Sequence, residues 1–148
     1  MREREREVVR ARGHENVTAR HGSTLEVTSD DWLTPAGDCI LAVEADRVPA
    51  DFDDAFVEAC RDPEATITVT LTATTESGET YEETITGRGD PELSFENERS
   101  HVGRTSDYVD DRTVLVGGSA AAGDLDRDLV DALADGADLR FELVVDVE

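Results

Sequence analysis

Two of the three histidines are the residues of this chain best suited to metal chemistry. His14 and His21 are seven positions apart, so on one straight strand they would face opposite sides, and shared ligation requires a bend or bulge. Together with Asp38 or Asp90 they form a donor set for zinc or another divalent cation. A metal open to water is typical of hydrolysis. The alternative is structural: His14 is a turn residue and His21 ends a strand.

Two aspartate–aromatic pairs form a second candidate site. Asp31 and Trp32 are echoed later in the chain by Asp107 and Tyr108. If the pairs line opposite walls of one cleft, an aromatic surface beside a carboxylate is typical of a site for a cationic or planar ligand. The alternative is that each aromatic side chain packs in the core and each aspartate caps a turn.

No complete catalytic set is present, so we assign no catalytic residue and no cofactor. The glycine-rich segment 117–123 precedes a predicted helix, as phosphate loops do, but it lacks a lysine and runs into acidic residues. Segment 124–135 begins like a calcium loop, yet leucine and aspartate stand where glycine and glutamate are expected. Cys39 and Cys60 are interpreted as reduced thiols.

An internal repeat is the strongest signal in the sequence. Its clearest block is DFDDAFVEACRD at 51–62, which matches DLDRDLVDALAD at 124–135. We predict a duplication within a single domain, 1–148, with copies at about 12–75 and 88–147, and with two extra residues in the first copy. The other matched blocks are 12–14 with 88–90, 31–33 with 107–109, and Cys39–Ala42 with Thr113–Val116.

The two halves show the same order of predicted elements. Apolar residues at helical spacing predict a helix from Phe52 in the first half and from Leu125 in the second. An alternating strand follows each helix, and residues 76–79 predict a hairpin turn. Other strands are predicted at Val8–Arg12, Val17–His21, Leu25–Thr28, Cys39–Val43, Leu93–Phe95, His101–Arg104 and Thr113–Val116.

These elements predict an α+β, β-rich fold. Two strand–strand–helix–strand halves bury one shared core most simply around a pseudo-two-fold axis. A closed or nearly closed barrel with two helices is the preferred architecture, because closure removes exposed strand edges. An open two-layer sandwich is the alternative.

The charge indicates an environment rather than an activity. The chain has 36 Asp and Glu residues, 14 Arg and no Lys, with a net charge of -22. We interpret this as halophilic adaptation, since molar salt screens repulsion between surface carboxylates. The absence of a basic patch argues against nucleic acid, and the absence of a long apolar run argues against a membrane span. We expect a cytoplasmic protein.

Several segments of the chain together form a recognisable pattern. They are Gly13–Val17, His21, Ser23–Thr28, Leu33–Ile40, Ala45–Asp46, Gly89–Leu93 and Thr105–Val109. With these segments the chain resembles an archaeal family catalogued as domain of unknown function 371. The resemblance extends over about residues 8–146, and it implies an archaeal cytosolic protein with no established activity.

The sequence therefore predicts a small non-catalytic binding module, with its site where the two halves meet. Its partner, a small molecule or a protein, and its oligomeric state are open. The alternative function is a metal-dependent hydrolase that uses His14 and His21 with Asp38 or Asp90.

Overall fold

The computed structural model describes residues 3–148; Met1 and Arg2, at the start of the predicted single domain, lie outside the described residues. Within them the chain forms eight β-strands, arranged as two sheets of four, and two short α-helices. The β-rich α+β class predicted from the sequence is therefore confirmed. No helix in residues 3–148 is long and apolar enough to cross a membrane.

Sheet A is antiparallel throughout. Its strands are β1 (Glu3–Arg12), β4 (Thr66–Thr74), β5 (Thr80–Arg88) and β8 (Asp138–Val147), in the order β1-β8-β4-β5. β1 pairs with β8 along its whole length, so it begins at Glu3 and not at the predicted Val8. Alternate residues of β4 and β8 are buried, as their period-two patterns predict.

Sheet B contains β2 (Thr24–Thr28), β3 (Ile40–Ala42), β6 (Ser100–Arg104) and β7 (Thr113–Leu115), in the order β3-β2-β6-β7. β2 and β6 are antiparallel, and each pairs in parallel with the short strand that follows it. Parallel neighbours require the chain to return to its starting end. Residues 29–39 and 105–112 therefore form two crossover loops.

Two predicted strands are loops instead. Val17–His21 and Leu93–Phe95 belong to no strand. Ala19 has φ 48° and Phe95 has φ 51°, which is left-handed backbone that an extended strand does not accommodate. The strand prediction was wrong there because alternating polarity carries no information about a local reversal of φ.

The two helices are shorter than their apolar stripes. α1 spans Asp54–Cys60 and α2 spans Arg127–Ala134, and a 3-10 turn precedes each of them. Phe52 and Leu125, the predicted first helical residues, lie between turn and helix and are buried. They cover the core although they are not helical.

One continuous hydrophobic core lies between the two sheets and beneath both helices. It includes the inward residues of β4 and β8, such as Leu71 and Phe141, and the apolar faces of α1 and α2, such as Phe56 and Leu133. Both halves of the chain therefore contribute to the same interior.

The sheets meet at two corners through isolated pairs. Arg12 bridges to Val43, just after β3, and Arg88 bridges to Val116, just after β7. Each corner has one bridged residue pair and one further backbone hydrogen bond, from Asp46 N–H to the carbonyl of Arg10 and from Ser119 N–H to that of Thr86. Residues 3–148 therefore form two sheets joined at their edges, and no closed barrel is found among them.

The same series of elements occurs in each half: β1, β2, β3, α1 and β4, then β5, β6, β7, α2 and β8. β2 and β6 begin 76 positions apart, at Thr24 and Ser100, whereas β3 and β7 begin 73 positions apart, at Ile40 and Thr113. The predicted alignment of Cys39 with Thr113 is therefore shifted by one residue, and the crossover loop of the first half is three residues longer.

Candidate functional site

The structure places the two predicted aromatic residues on the surface. Trp32 and Tyr108 are 56% and 60% exposed, and they are the exposed large hydrophobic side chains among residues 3–148. Asp31 and Asp107 beside them are exposed as well. Packing in the core, the structural alternative for these aromatic residues, is therefore excluded.

The two aromatic residues occupy equivalent positions in the crossover loops. Trp32 follows β2 by four residues, and Tyr108 follows β6 by four. Because β2 and β6 are antiparallel, the loops leave sheet B at opposite ends of the pair, which extends from Thr24 opposite Arg104 to Thr28 opposite Ser100. Four residues of strand separate these ends by about 14 Å. The structure thus does not place both rings at one end of the sheet.

The outer face of sheet B lies beneath these loops. Leu25, Val27 and His101 point inward, so by alternation Glu26 and Val102 point to the other face. Val102 is 2% exposed although it lies outside the core cluster, and Arg104, which alternation places on the same face, lies against the ring of Tyr108 in the second crossover loop.

Tyr108 is held by a buried arginine. The guanidinium of Arg104 lies 4.8 Å from the centroid of the Tyr108 ring, within the range of a cation–π contact. Arg104 Nε donates to Thr113 Oγ1 at 2.9 Å, and its Nη2 donates to Asp110 Oδ2 at 3.0 Å. Three partners therefore fix the guanidinium on which the ring rests.

Asp110 joins a second arginine to this network. Arg112 donates to Asp110 from its backbone and its guanidinium, both at 2.9 Å. Burial alone would raise the pKa of Asp110, but these hydrogen bonds and the charges of Arg104 and Arg112 outweigh it and lower the pKa to about 2. Asp110 is therefore a carboxylate at neutral pH.

The loop that carries Trp32 is tied down differently. Asn16 Nδ2 donates to the carbonyl of Leu33 at 2.8 Å, and Leu33 is buried. On the other side of Trp32, Asp30 accepts from Arg99 Nε at 2.8 Å. Arg99 belongs to the second half, so this ion pair joins the two halves beside the exposed ring.

His14 and Asp90 make the same local contact in the two halves. His14 Nδ1 accepts the backbone N–H of Asn16 at 3.0 Å, and Asp90 Oδ1 accepts that of Glu92 at 2.9 Å. They follow β1 and β5, which form opposite edges of sheet A and run in opposite directions. The structure therefore places these two side chains at opposite ends of the sheet, and they do not approach one another.

His21 and Asp38 are adjacent through their backbones. The N–H of His21 donates to the carbonyl of Asp38 at 3.2 Å, and His21 Nδ1 accepts the N–H of Thr24 at 3.1 Å. Among residues 3–148 no group of three or more His, Cys, Asp or Glu side chains is arranged to hold a metal ion. No contact favours the metal-dependent alternative, which stays a prediction.

Arg104 and His101 are the polar residues of this region that sequence reasoning left out. His101 is fully buried, where the first half has Leu25. Burial lowers the pKa of His101 to about 4, although the carbonyl of Arg47, 2.8 Å from Nε2, opposes the shift. The sequence indicated His101 only as a polar residue at an inward position of a predicted strand. It indicated the hydrogen-bond network of Arg104 only by the position of that arginine shortly before Asp107 and Tyr108.

Neither cysteine has the environment of a nucleophile. Both thiols are free, and Cys60 is buried. Burial and the neighbouring Glu26 raise the pKa of Cys39 to about 11, and burial also raises the pKa of Cys60. Both remain protonated at neutral pH, which is typical of structural thiols.

Comparison with known proteins identifies a matching family and a relative of similar length. The family model described as Domain of unknown function (DUF371) matches residues 9–146. An uncharacterised protein of Methanocaldococcus jannaschii is 35% identical over 138 residues, which cover 93% of this chain and 98% of the relative. The match extends over both halves, both sheets and both crossover loops, and the chain therefore belongs to the DUF371 family.

Proposed function

We propose that this protein is a non-catalytic binding module whose contact surface is the outer face of sheet B, with Trp32 and Tyr108 as its contact residues. One observation carries the proposal: these two large apolar side chains are more than half exposed, at equivalent positions, on a surface otherwise rich in carboxylates. Folding gains little from an exposed ring, whereas aromatic residues supply much of the binding energy at contact sites.

The chemistry of the surface suggests the class of ligand. Each ring has an exposed aspartate beside it, Asp31 or Asp107, which favours a cationic or planar ligand. The loops start about 14 Å apart along the strands, so a ligand that contacts both rings is elongated. The Arg104 contact holds Tyr108 in place before binding, which lowers the entropic cost of association.

We also infer that the chain arose by duplication and is one domain, with copies at about 12–75 and 88–147. Equivalent backbone hydrogen bonds support this inference: the N–H of Gly13 donates to the carbonyl of Ala137 at 2.7 Å, and that of Gly89 to Ala65 at 3.1 Å. The two single-pair corners are consistent with a nearly closed barrel as the ancestral arrangement. The net charge of -22 supports a halophilic, cytoplasmic protein.

A screen of cell metabolites by thermal unfolding tests the binding function, because a ligand of the native state must raise its Tm. The screen compares the wild type with the double variant Trp32→Ala, Tyr108→Ala, and with Glu76→Ala in the β4–β5 turn as a control. We expect a compound that raises the Tm of the wild type and the control but not of the double variant. Equal shifts in all three proteins, or no shift with any compound, would contradict the proposal.

A further inference from the structure

A row of arginines follows the outer face of β1, on the side of the molecule away from sheet B. Alternation places Arg4, Arg6, Arg10 and Arg12 on this face, opposite residues of β8. Three of them have a carboxylate partner. These pairs are Arg4 with Asp146 at 2.8 Å, Arg6 with Glu142 at 3.2 Å, and Arg12 with Glu44.

Arg10 is the exception. Its partner across the sheet is Arg140 of β8, so two like charges lie directly opposite one another. Among the residues that the structure describes, no carboxylate lies within 4.0 Å of the Arg10 guanidinium. Arg140 contacts Glu142 at 3.2 Å, but Arg6 contacts the same carboxylate. Glu142 thus contacts two guanidinium groups, whereas the guanidinium of Arg10 contacts none of the described carboxylates, in a protein with a large excess of acid.

The fold itself does not require this arginine pair. The corresponding pair in the other half of sheet A is Thr68 opposite Thr86, which is neutral. Like charges directly opposite one another on adjacent strands destabilise a sheet. The arginine pair therefore costs stability that the equivalent position avoids.

A surface cavity of about 440 Å³ lies over the pair. Arg10, Arg12 and Arg140 line it, together with the hydroxyl-bearing side chains of Thr72 and Thr74. Thr72 is the neighbour of Arg140 on β4, and its hydroxyl donates to Glu82 Oε2 at 3.4 Å, so the arginines supply the donors of this cavity. The cavity brings together the fork-shaped donors that bind carboxylates and phosphates.

We propose that this cavity binds a small oxyanion, a carboxylate or a phosphate, between Arg10 and Arg140. Two acidic residues also line the cavity, but Glu44 is paired with Arg12, and Asp138 lies two residues from Arg140, about 7 Å along the strand. The oxyanion takes the place of the carboxylate that accompanies each of the other arginines in the row. This site is separate from the aromatic surface on sheet B, and the test of one proposal does not depend on the result for the other.

Thermal unfolding with phosphate and with malonate tests the site, at constant ionic strength set by KCl and at the lowest salt that keeps the protein folded. Phosphate distinguishes a phosphate site, and malonate a carboxylate site. Anions that are excluded from the protein surface stabilise proteins generally, so both probes are used at low millimolar concentration. The comparison between variants then distinguishes binding at the arginine pair from this general effect. We expect a saturable rise in Tm with at least one probe and none with the same increment of chloride.

The variants that test the mechanism are Arg10→Gln and Arg140→Glu, with Arg4→Gln as the matched control from the same face of β1. Arg10→Gln weakens the apparent affinity about tenfold, as expected for the loss of one charge-assisted hydrogen-bonded partner. Arg140→Glu supplies Arg10 with an internal carboxylate, so it removes the anion response and raises the Tm in chloride. Arg4→Gln keeps the wild-type response.

An equal response of wild type, Arg10→Gln and Arg4→Gln would overturn the proposal, as would equal effects of chloride and both probes. If Arg140→Glu does not fold, Arg10→Gln alone decides. Asp138→Asn, which removes the carboxylate of the cavity lining that forms no ion pair among the described residues, is expected to strengthen binding, and weaker binding would place the anion elsewhere.

Discussion

The two halves of the molecule keep the same backbone contacts with different side chains. His14 and Asp90 each accept the N–H two residues ahead. His21 Nδ1 accepts the backbone N–H groups of Ser23 and Thr24. In the second half, Asn97 Oδ1 accepts those of Arg99 and Ser100. These positions therefore require a hydrogen-bond acceptor, which imidazole, amide and carboxylate all supply, and they do not require the metal-binding chemistry of histidine.

The halves differ where their crossover loops carry the aromatic residues. Tyr108 rests on Arg104, which Asp110 and Thr113 fix from below. The residue equivalent to Arg104 in the first half is Thr28, whose hydroxyl accepts from Ser100 at 3.1 Å. The second half therefore presents a pre-organised ring, whereas the loop with Trp32 is longer and is held by Asn16 and Arg99.

The largest effect is expected where both halves depend on a close backbone approach. A Cβ at Gly13 would lie 1.8 Å from the carbonyl oxygen of Leu133, and one at Gly89 would lie 2.2 Å from that of Cys60. Neither backbone atom can move cheaply. We expect Gly13→Ala and Gly89→Ala each to lower the free energy of unfolding by about 3 kcal/mol, measured by urea denaturation at fixed salt.

Gly22→Ala is the control for this prediction, since nothing lies within 4 Å of its Cβ position. Its free energy of unfolding should change by less than about 0.5 kcal/mol. A large effect of one glycine variant and none of the other would show that the two halves are not equivalent at this contact.

The next effect concerns a difference in the core, where His101 replaces the leucine of the first half. Burial lowers the pKa of His101 to about 4, whereas an unfolded histidine titrates near 6.5. Above pH 6.5 both states are neutral. As the pH falls below 6.5 the unfolded state binds a proton that the folded state excludes, so stability is lost between pH 6.5 and 4.

The variant His101→Leu isolates this effect, because it copies Leu25 from the first half. Relative to the variant, the wild type should lose about 2 kcal/mol of stability between pH 7 and pH 5. The pKa of Asp110 is lowered from its ordinary value of 3.8 to about 2, so the stability that Asp110 contributes is lost only as the pH falls below 3.8. Parallel stability curves for the two proteins would show that His101 is not buried in its neutral form.

The smallest effect tests whether the turn at His14 needs only an acceptor. His14→Ala leaves the N–H of Asn16 without its partner and should cost about 1 kcal/mol. His14→Asp copies Asp90 and should stay within about 0.5 kcal/mol of the wild type. Calorimetric unfolding of both variants measures the difference, and an equally destabilised aspartate variant would refute the equivalence of the two turns.

Much of the fold could be predicted from the sequence, because the buried faces of strands and helices follow the periodicity of apolar residues. The alternation of β4 and β8 and the apolar stripes of both helices predicted which faces are buried. The one-residue shift at β3 and β7 was not readable, because the three additional loop residues precede a short strand whose apolar residues align equally well in two registers.

The site was only partly readable because exposure depends on tertiary packing. The sequence identified Trp32 and Tyr108 as a pair, but only the fold shows that both rings face solvent. The arginine pair of sheet A could not be predicted from the sequence, because Arg10 and Arg140 are 130 residues apart and become neighbours only when β1 pairs with β8.

Trp32 is the single tryptophan of the chain, so its emission reports directly on the proposed contact surface. A compound that raises the Tm of the wild type should shift the Trp32 emission to shorter wavelength, with saturation. Tyr108→Ala should weaken its apparent affinity about tenfold, because a ligand that touches both rings loses one of them. Unchanged emission at saturation, or equal affinity for the wild type and Tyr108→Ala, would contradict a binding surface shared by the two halves.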